Sequence, residues 1–138
     1  MSLTAGQIES KVYELLKNST LKNIIGGDVY LEGTRPNDSK SEDIVISFLT
    51  GRDGDIQTGI VVVNAYIPDI DNGVNKGVKT KHTLRCRELE LALKSFADSI
   101  SIFEDFKFKT DRTVQTFKED NIQQHFVNLR LKFKRSTI

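Results

Sequence analysis

Gly59-Ile60-Val61-Val62-Val63-Asn64-Ala65-Tyr66-Ile67-Pro68-Asp69 is the stretch on which the fold turns. Residues 60–67 are β-branched or aromatic except Asn64 and Ala65, a composition that favours an extended, pleated backbone. Alternation puts Val61, Val63, Ala65 and Ile67 on one side and Ile60, Val62 and Tyr66 on the other. A strand apolar on both sides is expected in the middle of a sheet with each face covered for much of its length. Pro68 ends it, because proline has no N–H to donate to a ladder.

Upstream, Asp43–Thr50 alternates in the same way, with Ile44, Ile46 and Phe48 on one side and Val45 and Leu49 on the other. Asp53-Gly54 between the two segments tolerates positive φ and predicts a hairpin, so the two strands pair antiparallel. The last segment, Gln124–Lys134, points Val127, Leu129, Leu131 and Phe133 inward and Asn128, Arg130, Lys132 and Lys134 outward. Before it, Phe103, Phe106 and Phe108 alternate with Lys107 and Lys109, and Val114 and Phe117 continue a strand after a break near Asp111.

Two helices complete the pattern. Ile8, Val12, Leu15 and Leu16 share one helical face, and Thr4 with Gln7 three residues later reads as a capping box. Leu21, Ile24 and Ile25 add one more helical turn, stopped by Gly26-Gly27, and a short strand follows at Asp28–Glu32. Leu89, Leu93, Phe96 and Ile100, extended by Leu84 and Ala97, form the stripe of the other helix. Thr80 or Thr83 is expected to cap it, and Arg85, Arg87, Glu88, Glu90 and Lys94 to be solvated. The predicted order is α-β-β-β-α-β-β: one α+β domain spanning 1–138, with about five antiparallel strands and two amphipathic helices on one face.

Two polar loops stand out, Gly33–Glu42 with Pro36 and Asp69–Lys79 with Gly73 and Gly77; loops of that length in a compact domain are usually functional or disordered. The 138 residues include 38% hydrophobic and 28% charged side chains and carry a formal net charge of +1. These values suit a folded domain and give no global argument for nucleic acid or an anionic membrane. One cysteine, Cys86, excludes an intrachain disulfide. No apolar run approaches the roughly 18 residues that span a bilayer, and the first residues lack the pattern of a secretory signal; the expectation is a soluble chain made in the cytoplasm, with no membrane partner.

His82 and Cys86, four apart on one helix face, are the only candidates for a thiolate–imidazole pair, and a zinc site would need His125 and carboxylates from elsewhere. A buried thiol beside a surface histidine explains them more simply. Asp69, Asp71 and Gly73 miss the spacing of a calcium loop, and no glycine cluster matches a phosphate or dinucleotide pattern. No catalytic residue, metal or cofactor is expected. The basic residues Lys107, Lys109, Arg130, Lys132 and Lys134 form a candidate sheet face. Nucleic acid is disfavoured there, since Phe106, Phe108, Leu131 and Phe133 point the other way and charged edge strands resist aggregation anyway.

The order of segments resembles the small tail-completion or tail-terminator proteins of long-tailed bacteriophages and prophages. The resemblance lies in Val12-Tyr13-Glu14-Leu15-Leu16-Lys17, in Leu21-Lys22-Asn23-Ile24-Ile25-Gly26-Gly27-Asp28-Val29-Tyr30, in the proline loop Arg35-Pro36-Asn37, and in the closing strand His125-Phe126-Val127-Asn128-Leu129-Arg130-Leu131. It implies a non-enzymatic virion protein, a ring commonly of six copies at the head–tail junction, with itself, the tail tube and head–tail connector proteins as partners. Arg35, Asn37, Asp38, Asp71, Asn72, Asn75 and Lys76 are then candidate assembly-loop residues. A head–tail neck adaptor fits the same features, and a small nucleic-acid-binding module on the basic face is the alternative from a different class.

Overall fold

The computed structural model describes residues 1–74 and 77–138. The elements are α1 (Ala5–Lys17), α2 (Leu21–Ile24), β1 (Val29–Leu31), β2 (Ile44–Arg52), β3 (Ile56–Pro68), β4 (Ile70–Asp71), β5 (Lys79–Thr80), α3 (Thr83–Ser99), β6 (Ile102–Phe103), β7 (Phe106–Thr110), β8 (Gln115–Glu119) and β9 (Gln124–Ser136). The chain is α+β. Its main sheet has seven strands in the order β1-β2-β3-β9-β7-β6, with β8 also paired to β9.

As expected, β3 is central, flanked by β2 and β9, and β2 and β3 form an antiparallel hairpin with Ile46 opposite Val63 and Gly51 opposite Gly59. A register shift between Phe48 and Thr50 makes Leu49 the extra residue of a bulge, which leaves its side chain exposed. β7 and β8 pair with successive halves of β9, and the expected break falls between them. Asp111 N–H still donates to the Arg130 carbonyl across that break at 2.9 Å.

Several details differ from the sequence reading. The sheet has seven strands rather than about five: the strand expected to continue past a break near Asp111 is two, β7 and β8, and β6 is a two-residue strand that a period-2 pattern cannot register. β1 pairs with β2 in parallel, Val29 opposite Ile44, so the sheet is not wholly antiparallel. The long loop after Pro68 contains a separate two-stranded hairpin, β4 with β5. Its turn is folded by Asp71, which accepts hydrogen bonds from the Gly73 and Gly77 amides at 2.9 and 3.3 Å. Both glycines have positive φ. There are three helices rather than two if the single turn α2 is counted.

The core lies on one side of the sheet. Val61, Val63, Ala65 and Ile67 of β3 and Val127, Leu129, Leu131 and Phe133 of β9 are buried with Ile8, Val12 and Leu16 of α1 and Leu89, Leu93 and Phe96 of α3. The Thr4–Gln7 capping box forms as read: Gln7 N–H donates to Thr4 Oγ1 and Thr4 N–H to Gln7 Oε1. At α3, however, neither threonine caps. His82 occupies the N-cap position and Thr83 is already helical. Leu84 does not join the stripe; it is 67% exposed, and the buried position on that turn is Cys86.

Arg85 is not solvated either. It makes a two-point pair with Glu42 (Nε–Oε2 2.7 Å, Nη2–Oε1 2.8 Å) and donates to the Ile24 carbonyl, tying α3 to the segment leading into β2.

Candidate functional site

The two long helices, α1 and α3, pack on the face that carries the odd-numbered residues of β3, so the even-numbered face is open. The expectation that both faces of β3 would be covered is corrected here: Ile60, Val62, Asn64 and Tyr66 are only half-buried. At Tyr66 the shielding comes from the Arg35 guanidinium over the ring and from Phe126 beside it.

The five basic residues read from the sequence come together on this open face. Lys107 stands opposite Lys134, and Lys109 opposite Lys132, across the β7–β9 ladder. With Thr58 of β3 these four lysines line a trough of about 390 Å³. Among the described residues no carboxylate pairs with any of the four; the lysines in ion pairs are Lys11, Lys22 and Lys94. Like charges directly opposite one another oppose folding, so the arrangement costs stability that carboxylate neighbours would have offset. Arg130 sits next along β9, with Nε 3.2 Å from Asp111 Oδ2. The approach is close but misaligned: Nε is buried and makes no hydrogen bond among the described residues.

Farther along the same face lies a set of residues that the sequence reading did not assemble. Phe117 of β8 is opposite Phe126 of β9, and Phe126 is opposite Tyr66 of β3. The rings form a row with centroids 5.7 and 5.5 Å apart. Between this row and the lysines, Asn128 donates to Asn64 across the β3–β9 pair at 2.8 Å. The signal was the alternation already used for β9: if Val127 and Leu129 point inward, Phe126 must share the outward face with Asn128 and Arg130.

The loop candidates behave differently from one another. Asn37 and Asp38 are exposed, whereas Arg35 is turned onto the protein. Its guanidinium lies over the Tyr66 ring at 4.3 Å, and it donates to Asp43 at 2.9 Å and Gln124 at 3.0 Å. Asp43 is buried and also accepts from the Asp28 amide and from Ser39. Burial alone would raise the Asp43 pKa, but these hydrogen bonds and the Arg35 charge hold it below its ordinary value. Arg35 therefore fastens its own loop to the sheet. Asp71 and Asn72 are exposed at the β4–β5 turn, and Asn75 and Lys76 lie outside the described residues.

Cys86 is buried, and burial pushes its thiol up, away from the thiolate a nucleophile needs. Asp69 and His125 form a largely buried pair at 2.7 Å. Among the described residues no group of three His, Cys, Asp or Glu side chains converges as a metal site. Among the described residues no helix is long and apolar enough to cross a membrane.

No protein-family model matches the sequence. No curated protein matches it either.

Proposed function

We propose that this chain is a non-enzymatic structural protein of a phage or prophage tail. It would form a ring of copies, six in the commonest form of the proteins it resembles, at the end of the tail tube. Its partners are further copies of itself, the tail tube and the head–tail connector, and its place is the virion.

The observation that carries this reading is apolar surface presented away from the core. The β4–β5 hairpin exposes Ile70, Val74 and Val78, with Val74 at 78% and Val78 at 54%. On α3, Leu84 and Leu91, seven apart and so on one helix face, are 67% and 72% exposed. A projecting arm and an apolar helix stripe at different places on one molecule suit head-to-tail contacts, which generate rings when the rotation closes. The short edge strand β1 covers only Ile44–Ile46 of β2, and β8 pairs on one side only, so sheet edge is also free for contacts between copies. A neck adaptor would use the same surfaces, and the tail reading is preferred on the resemblance.

Negative-stain electron microscopy of the purified chain, alone and with assembled tail tubes, tests it. Annular particles with a central channel, free or seated on tube ends, are expected. Their absence in both samples would overturn the proposal.

A further inference from the structure

We infer that the open sheet face binds single-stranded nucleic acid, its phosphates on Lys107, Lys109, Lys132 and Lys134 and its bases on Phe117 and Phe126. Such a face would serve the chain in a tail or outside one.

The charge pattern points to a polyanion. Two lysine pairs stand directly across the β7–β9 ladder and, among the described residues, form no ion pair. The chain as a whole carries a net charge of only +1, so attraction for a polyanion has to come from a local strip such as this one rather than from overall charge. Successive outward residues on a strand are about 6.7 Å apart, the scale of the step between phosphates in an extended nucleic acid strand. Phe126, Asn128, Arg130, Lys132 and Lys134 run along one side of β9 as a continuous outward row, about 27 Å long. That length accommodates several nucleotides.

The aromatic row separates this reading from a purely electrostatic one. Phe117 is 43% exposed and Phe126 half-buried, on the same face as the lysines. Open rings beside a basic track are what unpaired bases stack on, whereas a duplex keeps its base faces hidden. Between rings and lysines, the Asn64–Asn128 amides supply donors for base edges or phosphates, while Arg130 is engaged near Asp111 with its Nε buried. The strip ends at Tyr66, which is already covered by Arg35 and near the charges of Glu119 and Glu32. Base stacking is therefore assigned to Phe117 and Phe126 alone.

Fluorescence anisotropy with labelled 15-nucleotide oligothymidylate, oligouridylate and a duplex of equal length tests this. Binding to the single strands is expected, with the DNA and RNA probes showing whether a 2′-hydroxyl matters. For four phosphate contacts the log–log salt slope should be about −2.8. The double variant K109A/K132A should lower the magnitude of that slope by about 1.4. It should melt no lower than the parent, since a like-charge pair has been removed. Phe117→Ala should weaken single-strand binding by about ten-fold while leaving the slope unchanged. Three results would each overturn the inference: no binding at low salt, a duplex bound as tightly as the single strand, or a slope indifferent to the lysines. An interface between copies, revealed by K109A/K132A reducing the mass in solution with no oligonucleotide bound, would overturn it as well.

Discussion

Gly59 lies directly beneath the ring of Phe133, its partner in the β3–β9 ladder. A Cβ placed on Gly59 would stand 2.7 Å from both the Phe133 ring and the Thr50 carbonyl oxygen. The ring can shift a little; the backbone oxygen of the neighbouring strand cannot do so without bending β2. Gly59→Ala should therefore destabilise the protein by about 1–3 kcal/mol, as overpacking in a well-packed core does. Denaturant unfolding checks this, with a lower midpoint at unchanged slope.

The Glu42–Arg85 pair makes the acid limb of stability predictable. Hydrogen bonds from Arg85 hold the Glu42 carboxyl below its ordinary 4.5, and Asp43 next to it lies below its ordinary 3.8. Both folded-state values are depressed, so the unfolded chain takes up protons first as the pH falls. The stabilisation is complete above the ordinary values and is lost as the pH drops through the folded ones. Melting temperature should fall with acidification below about pH 4.5, and Glu42→Gln should flatten that part of the curve. Arg85→Ala should cost about 1–3 kcal/mol near neutral pH, because it strands a partly buried carboxylate and frees the Ile24 carbonyl.

Much of this was readable in the sequence, for definite reasons. Period-2 alternation placed Val61, Val63, Leu129 and Leu131 in the core, and Asp53-Gly54 marked the hairpin, although neither residue takes the positive φ that the pair was expected to supply. What escaped notice depended on partners distant in the chain. Nothing local shows that Arg85 meets Glu42, 43 positions away, or that Val29 runs parallel to Ile44. The open face was half legible: outward Asn128, Arg130 and Lys132 marked a wet side of the last strand, whereas β3, apolar on both sides, was expected to be covered on each. Phe117 and Phe126 were visible as aromatics, but only the register joins them to Tyr66.

Cys86 should react slowly. Its burial and raised pKa predict that a thiol reagent labels the native protein far more slowly than a free thiol, with the full rate appearing on unfolding. Rapid native labelling would favour an enzyme built on His82 and Cys86.

The hairpin can be separated from the fold. Val74 and Val78 touch little of the core, so Val74→Asp with Val78→Asp should change stability by less than about 0.5 kcal/mol per site. The same change should abolish association of copies, because it puts charge where a second chain must bury apolar surface. Thermal melting and sedimentation velocity on the same sample distinguish the two effects.

Self-assembly is the central claim, and the absolute mass in solution tests it most directly. Light scattering across a wide concentration range, with and without tail tubes, should reveal a discrete closed species, at six times the 15.6 kDa chain mass if the ring is of the common form. A chain that stays at 15.6 kDa at every concentration, and that does not sediment with the tubes, would contradict the account.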